Sequence, residues 1–108
     1  MASHKEGKVQ DYAKDRLKKE GFLVRKLAYE GRNGATDLMA VDLVIAFIEC
    51  KDEGKEPEPH QLLEHQRLKA HGALVFVVDS KAQVDHMIRI LTFKRAEMKR
   101  HNIKSILR

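Results

Sequence analysis

Val9, Tyr12, Ala13 and Leu17 recur at the spacing of one helix face, within a segment from Ser3 to Glu20. Ser3 and Glu6 have capping-box spacing, and Gly21 stands where a helix commonly closes. The apolar run from Phe22 to Tyr29 reads as a strand, and Glu30 to Gly34 as a turn-rich loop. Residues 36 to 51 are dense in Val, Ile, Leu and Phe, but Asp42 interrupts them. They predict a hairpin with strands near 37–41 and 44–51, although no Gly or Pro marks its turn. The charged stretch from Asp52 holds both prolines and reads as a loop. Pro59 then opens a helix that Gly72 ends. Ala73 to Val78 is almost continuously apolar, the pattern of a strand buried on both faces. Ser80 and Gln83 form a second capping box, starting a helix to about Leu91, and Phe93 to His101 reads as a further basic helix.

The order α-β-β-β-α-β-α predicts a mixed α/β domain. At 108 residues the chain is expected to be one domain, with a core at about 4–91 and a basic helical extension at 92–108. The last core strand follows a helix and so can lie parallel to a neighbour.

Charge changes the picture at one end. The net charge is +5, and from Lys81 onward eight basic residues face only Asp85 and Glu97. That segment carries +6 and the first 80 residues −1, a distribution suited to a polyanionic partner or, more blandly, to a solvated helix. The single cysteine, Cys50, excludes an internal disulfide and a multi-cysteine zinc module, and it reads as buried packing. His60 and His65 are five apart on a helix, a poor spacing for shared ligation. No apolar run is long enough to span a bilayer, and no signal-peptide pattern is seen, so a cytoplasmic location is expected. The nucleotide-binding pattern GxxxxGK[ST] is missing, which argues against a nucleotide-driven motor.

Glu49 and Lys51 are two apart in a predicted strand, so both point to one face, about 7 Å apart. Burying charge is unfavourable unless it is paired or bound to metal. If the two hairpin strands pair, Asp37 at the start of one lies beside Glu49 and Lys51 at the end of the other. Two carboxylates can hold Mg²⁺ or Mn²⁺, and a lysine can position an attacking water or stabilise charge on a phosphate. This set suits metal-assisted phosphodiester hydrolysis. The bland alternative is a structural ion pair at a strand end.

The pattern resembles the PD-(D/E)XK nuclease superfamily, and within it the small stand-alone VRR-NUC proteins of phages and bacteria, over roughly residues 6 to 90. The resemblance rests on Glu6 in an N-terminal helix, the segment Gly31-Arg32-Asn33-Gly34-Ala35-Thr36-Asp37, and the signature Glu49-Cys50-Lys51. A proline-containing loop follows, then a helix with Gln61 near its start, the run Glu64-His65-Gln66-Arg67-Leu68, and Gly72 at its end. Thr36 departs from the proline usual before the catalytic aspartate, and the hairpin is shorter than usual.

The resemblance implies a restriction-endonuclease-like αβββαβ core with a mixed sheet. It implies Asp37 and Glu49 as metal ligands, joined by the backbone carbonyl of Cys50 or Ile48, and Lys51 as the catalytic lysine. Glu6 would help hold the metal or its water, unless it serves only as the partner of Ser3. Gln61 would support the site, unless it is a solvated first-turn residue. Arg32 and Asn33, if more than turn residues, would touch phosphates beside the site, and Lys94, Arg95, Lys99 and Arg100 would supply the basic DNA contact. The implied activity is a Mg²⁺- or Mn²⁺-dependent DNA endonuclease acting as a homodimer on branched DNA such as four-way (Holliday) junctions, in a cytoplasm, including that of a phage host. The rivals are a flap or nicking nuclease, an RNA-processing nuclease, and a non-catalytic DNA-binding module.

Overall fold

The chain builds helix α1 (His4–Lys19), strands β1 (Leu23–Lys26), β2 (Leu38–Val41) and β3 (Ile45–Cys50), helix α2 (Pro59–Ala70), strand β4 (Leu74–Val78) and helix α3 (Lys81–Ile106). The structure is a computed structural model that describes residues 4–106, with side chains from 7 to 102. The Ser3–Glu6 capping box, and any site role of the Glu6 side chain, lie outside the described residues.

The four strands form one sheet in the order β1-β2-β3-β4. β1 and β2 pair antiparallel, as do β2 and β3, while β3 and β4 are parallel. The expected αβββαβ order and mixed sheet are therefore present. Helices cover both faces. Ala46, Ile48 and Cys50 of β3 point into a core made with Val9, Ala13 and Leu17 of α1 and Val84, Met87, Ile88 and Leu91 of α3. Each fully buried Leu or Ile contributes roughly 1.5–3 kcal/mol by leaving water. The alternate residues of β3 face the other way, and there Glu49 meets α2.

Helix α2 is inverted relative to an ordinary amphipathic helix. Its buried residues are Glu64 and His65, whereas Leu62 and Leu63 are exposed. A polar inner face marks this helix as facing a site rather than the oily core.

Three details differ from the pattern-based expectation. β1 is shorter than Phe22–Tyr29, although the Leu27 N–H still bonds to the Asp37 carbonyl and extends the ladder by one step. β4 is an edge strand with Val77 38% exposed, so its apolar run reflects parallel pairing to β3 without burial on both faces. The helix predicted to end near Leu91 continues unbroken into the basic segment, as one helix to Ile106. Thr92, at the expected break, turns its hydroxyl to the Ile88 and Arg89 carbonyls, which keeps it within the helix.

The hairpin turn has no glycine because Leu43 takes its place, at φ 62. The Asp42 N–H still bonds to the Val44 carbonyl, leaving Leu43 alone at the apex.

Candidate active site

The β2–β3 register pairs Leu38 with Ile48, so one step further puts Asp37 opposite Glu49. The Asp37 carboxylate accepts the Cys50 backbone N–H through Oδ2 at 2.6 Å. The N–H and C=O of one extended residue point the same way, so the Cys50 carbonyl also faces the Asp37 side. The next N–H, of Lys51, turns to β4 and bonds to the Val78 carbonyl at 2.9 Å. Thr36, in the usual proline position, is buried, and its hydroxyl donates to the Leu38 carbonyl at 3.4 Å, which steadies the strand entry by another means.

Glu49 is 2% exposed, and two side chains of α2 hold its carboxylate. Gln61 Nε2 donates to Oε2 at 3.2 Å, and His65 Nε2 lies 3.3 Å from Oε1. Gln61 Oε1 accepts the Glu58 N–H at 2.8 Å, so one amide caps the helix and orients the carboxylate. Burial pushes the His65 imidazole down, and the Lys69 and Lys51 ammonium groups push the same way against the nearby Glu64 carboxylate. A carboxylate can only accept, so Nε2 carries the hydrogen of this contact and donates it to Glu49. Lys51 continues the ladder through its N–H bond to Val78, so strand alternation puts its side chain on the Glu49 side of the sheet.

The glycine loop is fastened to the same helix. Tyr29 donates its hydroxyl to Glu64 Oε2 at 2.6 Å, and Arg32 Nη2 lies 3.5 Å from Glu64 Oε1. Gly34, at φ 101, lets the backbone come so close that an added Cβ would sit 3.3 Å from both Glu64 Cβ and the His60 carbonyl oxygen. Asn33 is exposed on this loop.

The donors suit a hard divalent cation: carboxylates from two adjacent strands and a carbonyl on the same side. Among the described residues no group of three or more His, Cys, Asp or Glu side chains is gathered for a metal. An ion here would rest on Asp37, Glu49, the Cys50 carbonyl and water, a habit of Mg²⁺.

The sequence-predicted residues thus fall into two groups. Asp37, Glu49 and Gln61 come together at the end of the β2–β3 ladder, Lys51 follows two residues after Glu49, and Arg32 and Asn33 lie on the adjoining loop. The basic residues of α3 lie elsewhere. Lys94 lines a groove of about 680 Å³ with Leu43, Ile45, Leu74, Met98 and His101, at the start of β3. Six residues of strand separate that end from Lys51, about 20 Å. Lys99 and Arg100 are exposed further along α3. Arg95 is engaged internally: its Nη1 donates to the Glu20 carbonyl at 2.6 Å and to Asp42 Oδ2 at 3.0 Å, and its guanidinium stacks 4.4 Å above the Phe22 ring. It fastens α3 to the end of α1 and to the hairpin.

Tyr29 was not singled out from sequence, and Glu64 and His65 were marked only as part of a family-like run, with no role in holding Glu49 or the glycine loop. The available signal was that Gln61 and His65 are four apart and share a helix face.

No model of a known protein family matches the chain. The chain is 35% identical over 79 residues to "Putative nuclease p44" of Acyrthosiphon pisum secondary endosymbiont phage 1, covering 71% of this chain and 85% of that protein. A solved structure described as "VRR_NUC domain" superposes with a TM-score of 0.76 at 54% identity, covering 81% of this chain and 97% of that one.

Proposed function

Because the chain belongs to the VRR-NUC family, we propose that it is a Mg²⁺- or Mn²⁺-dependent endonuclease that cuts phosphodiester bonds in branched DNA. The observation that carries this reading is the register that sets Asp37 opposite Glu49, with Lys51 two residues on.

When bound, a divalent ion lowers the charge on the scissile phosphate and makes a water nucleophilic at neutral pH. Asp37 and Glu49 would hold it, with the Cys50 carbonyl. Gln61 and His65 keep the Glu49 carboxylate in a single orientation, so the ligand is preorganised. Lys51 offers its ammonium to the charge that grows on the phosphate, or to the attacking water. The low exposure of Glu49 strengthens each of these interactions.

The separation of the two basic regions supports a branched substrate. Arg32 and Asn33 adjoin the site, whereas Lys94 lies at the far end of the sheet and Lys99 and Arg100 follow it on α3, the helix that packs against the other face. DNA with more than one arm can meet both regions at once. A homodimer with a two-fold axis would cut two strands of a four-way junction symmetrically.

The test is cleavage of matched substrates with Mg²⁺ or Mn²⁺: four-way junction, flap, splayed arm, linear duplex, single strand and RNA. Lys51→Ala controls for contaminating nuclease. Paired cuts near the junction, lost in the variant, are expected. Cuts confined to flaps, nicks or RNA would replace the substrate. Tight DNA binding with no cleavage by the parent would leave a binding module.

A further inference from the structure

Glu64 is a buried carboxylate that carries no part of the chemistry above, and its partners are unusual. Arg32 Nη2 and Arg67 Nη1 approach the same oxygen, Oε1, at 3.5 and 3.6 Å. The other oxygen, Oε2, accepts the Tyr29 hydroxyl. The two arginines come from different elements, the glycine loop and α2, yet one carboxylate oxygen holds both. Like charges repel, and the carboxylate between them makes the arrangement stable.

Their exposure is asymmetric. The Glu64 side chain is 11% exposed, whereas those of Arg32 and Arg67 are 56% and 54% exposed. A pair formed only for stability would gain little from leaving two guanidinium groups half in water. Each guanidinium has five N–H donors in a fixed fork, and a single distant contact to Glu64 uses few of them. The remaining donors suit the oxygens of an anion. Tyr29 adds direction, since the Arg32 guanidinium also sits 5.8 Å from its ring centre. Glu64 is also next in sequence to His65, which holds Glu49. The arginine pair therefore adjoins the candidate active site.

We propose that Arg32 and Arg67 form a clamp for one phosphate of the nucleic-acid backbone beside the scissile one, with Glu64 and Tyr29 as the residues that position it. This inference rests on the nuclease reading for its ligand. It adds Arg67 as a contact, and it gives the buried Glu64 and the close-packed Gly34 a purpose: they fix the loop so that the two forks face one phosphate.

The experiment measures junction binding in the uncut Lys51→Ala background, and KM and kcat in the active background, for Arg32→Ala, Arg32→Lys, Arg67→Ala, the double alanine variant, Glu64→Gln and Tyr29→Phe. Each single alanine variant is expected to weaken binding about tenfold, from the loss of a charge-assisted hydrogen bond. The slope of log affinity against log salt should fall by about one. The double variant should lose less than the product of the two, because both arginines serve one phosphate. Arg32→Lys should lose most of what alanine loses, since a point charge lacks the fork.

Glu64→Gln gives the sharpest sign. Removing a negative charge beside DNA should by simple electrostatics tighten binding, whereas a lost positioning residue weakens it and raises KM more than it lowers kcat. If Glu64→Gln does not fold, Tyr29→Phe tests the same device with a smaller change, and KM should rise in it too. Tighter binding in a folded Glu64→Gln, full rescue by Arg32→Lys, or fully multiplicative alanine effects would each overturn the clamp. If the parent cuts nothing, the nuclease reading falls while the binding data still decide on the clamp. If the parent cuts and these variants leave KM unchanged, the clamp alone falls.

Discussion

Asp37 and Cys50 are joined by a 2.6 Å hydrogen bond from the Cys50 backbone N–H to the Asp37 carboxylate, across the end of the β2–β3 ladder. A side chain thereby replaces a carbonyl as acceptor and is held at the strand exit. Asn at position 37 keeps an oxygen that can accept the same N–H and loses the negative charge. Asp37→Asn should therefore fold as the parent does, bind DNA, and cut at least about 100-fold more slowly, in the range for losing a charged group in a preorganised site. Single-turnover cleavage together with a melting curve checks it. Cleavage at the parental rate would remove Asp37 from the chemistry.

Gln61 has two tasks on one amide. Gln61→Ala removes the acceptor of the Glu58 N–H and the donor to Glu49. Stability should fall by about 1 kcal/mol, as for a lost helix cap. Activity should fall about 10- to 100-fold, as for other residues that orient a metal ligand. Isothermal titration with Mn²⁺ should show weaker metal binding in step with activity. Lost stability with unchanged activity would make Gln61 a cap only.

The fastening of the glycine loop should depend on pH at both extremes. Glu64 is held below the ordinary carboxylate range by the Tyr29 hydrogen bond and then by Arg32 and Arg67. Its folded pKa is depressed, so its contribution is present above the unfolded value and is lost as pH falls through the folded one. Tyr29 is pushed up to about 12 by burial and by its bond to Glu64. Its folded pKa is raised, so its contribution is full below about pH 10, the ordinary tyrosine value, and is lost as pH rises toward 12. Melting temperatures across pH should show a plateau between these limits. Glu64→Gln should flatten the acid side of the parent's curve, and identical acid limbs would count against this assignment.

Arg95 and its basic neighbours should separate cleanly. Arg95→Ala breaks contacts to Glu20, Asp42 and Phe22, and should destabilise the fold by about 1.5–3 kcal/mol. Lys99→Ala and Arg100→Ala, both exposed, should leave stability within about 0.5 kcal/mol. If the tail meets a second DNA arm, the latter two weaken junction binding more than binding of a short duplex. Urea denaturation and paired affinity measurements distinguish the roles.

Leu43 holds a left-handed backbone conformation at the hairpin apex with a bulky side chain 43% exposed. Asn enters this region more readily. Leu43→Asn should stabilise the protein by about 0.5–1 kcal/mol, read as a raised urea midpoint with an unchanged slope. A lower midpoint would mean that Leu43 packs usefully in the adjoining groove.

The apolar period of α1 made that helix legible, because the residues that repeat at helical spacing fill the core, and α3 was legible from the capping pair Ser80 and Gln83 at its start. The hairpin was legible from composition although its turn was not, since Leu43 does what glycine usually does. The juxtaposition of Asp37 and Glu49 was legible from a charge opening one apolar strand and charges ending the next. The remainder of the site was hidden for a physical reason: Glu64 and His65 are buried by partners 32 and 16 residues away. A polar residue that is buried looks, in sequence, like one that is solvated. Arg95 shows the converse, a charge in a basic run that turns inward to satisfy a carbonyl, a carboxylate and a ring.

The inverted face of α2 has a consequence for how the molecule opens. A helix docked by an amide, an imidazole and a carboxylate gains less from excluding water than one docked by leucines, and its leucines at 62 and 63 already sit in solvent. Its detachment is therefore the least opposed of the larger local openings, and its backbone amides should exchange with deuterium well before those buried between α1 and α3. Rigidity at Glu49 thus depends on a helix docked by polar side chains. Whatever settles that helix onto the sheet, an ion at the carboxylates or a phosphate on the two arginines, should also tighten the site.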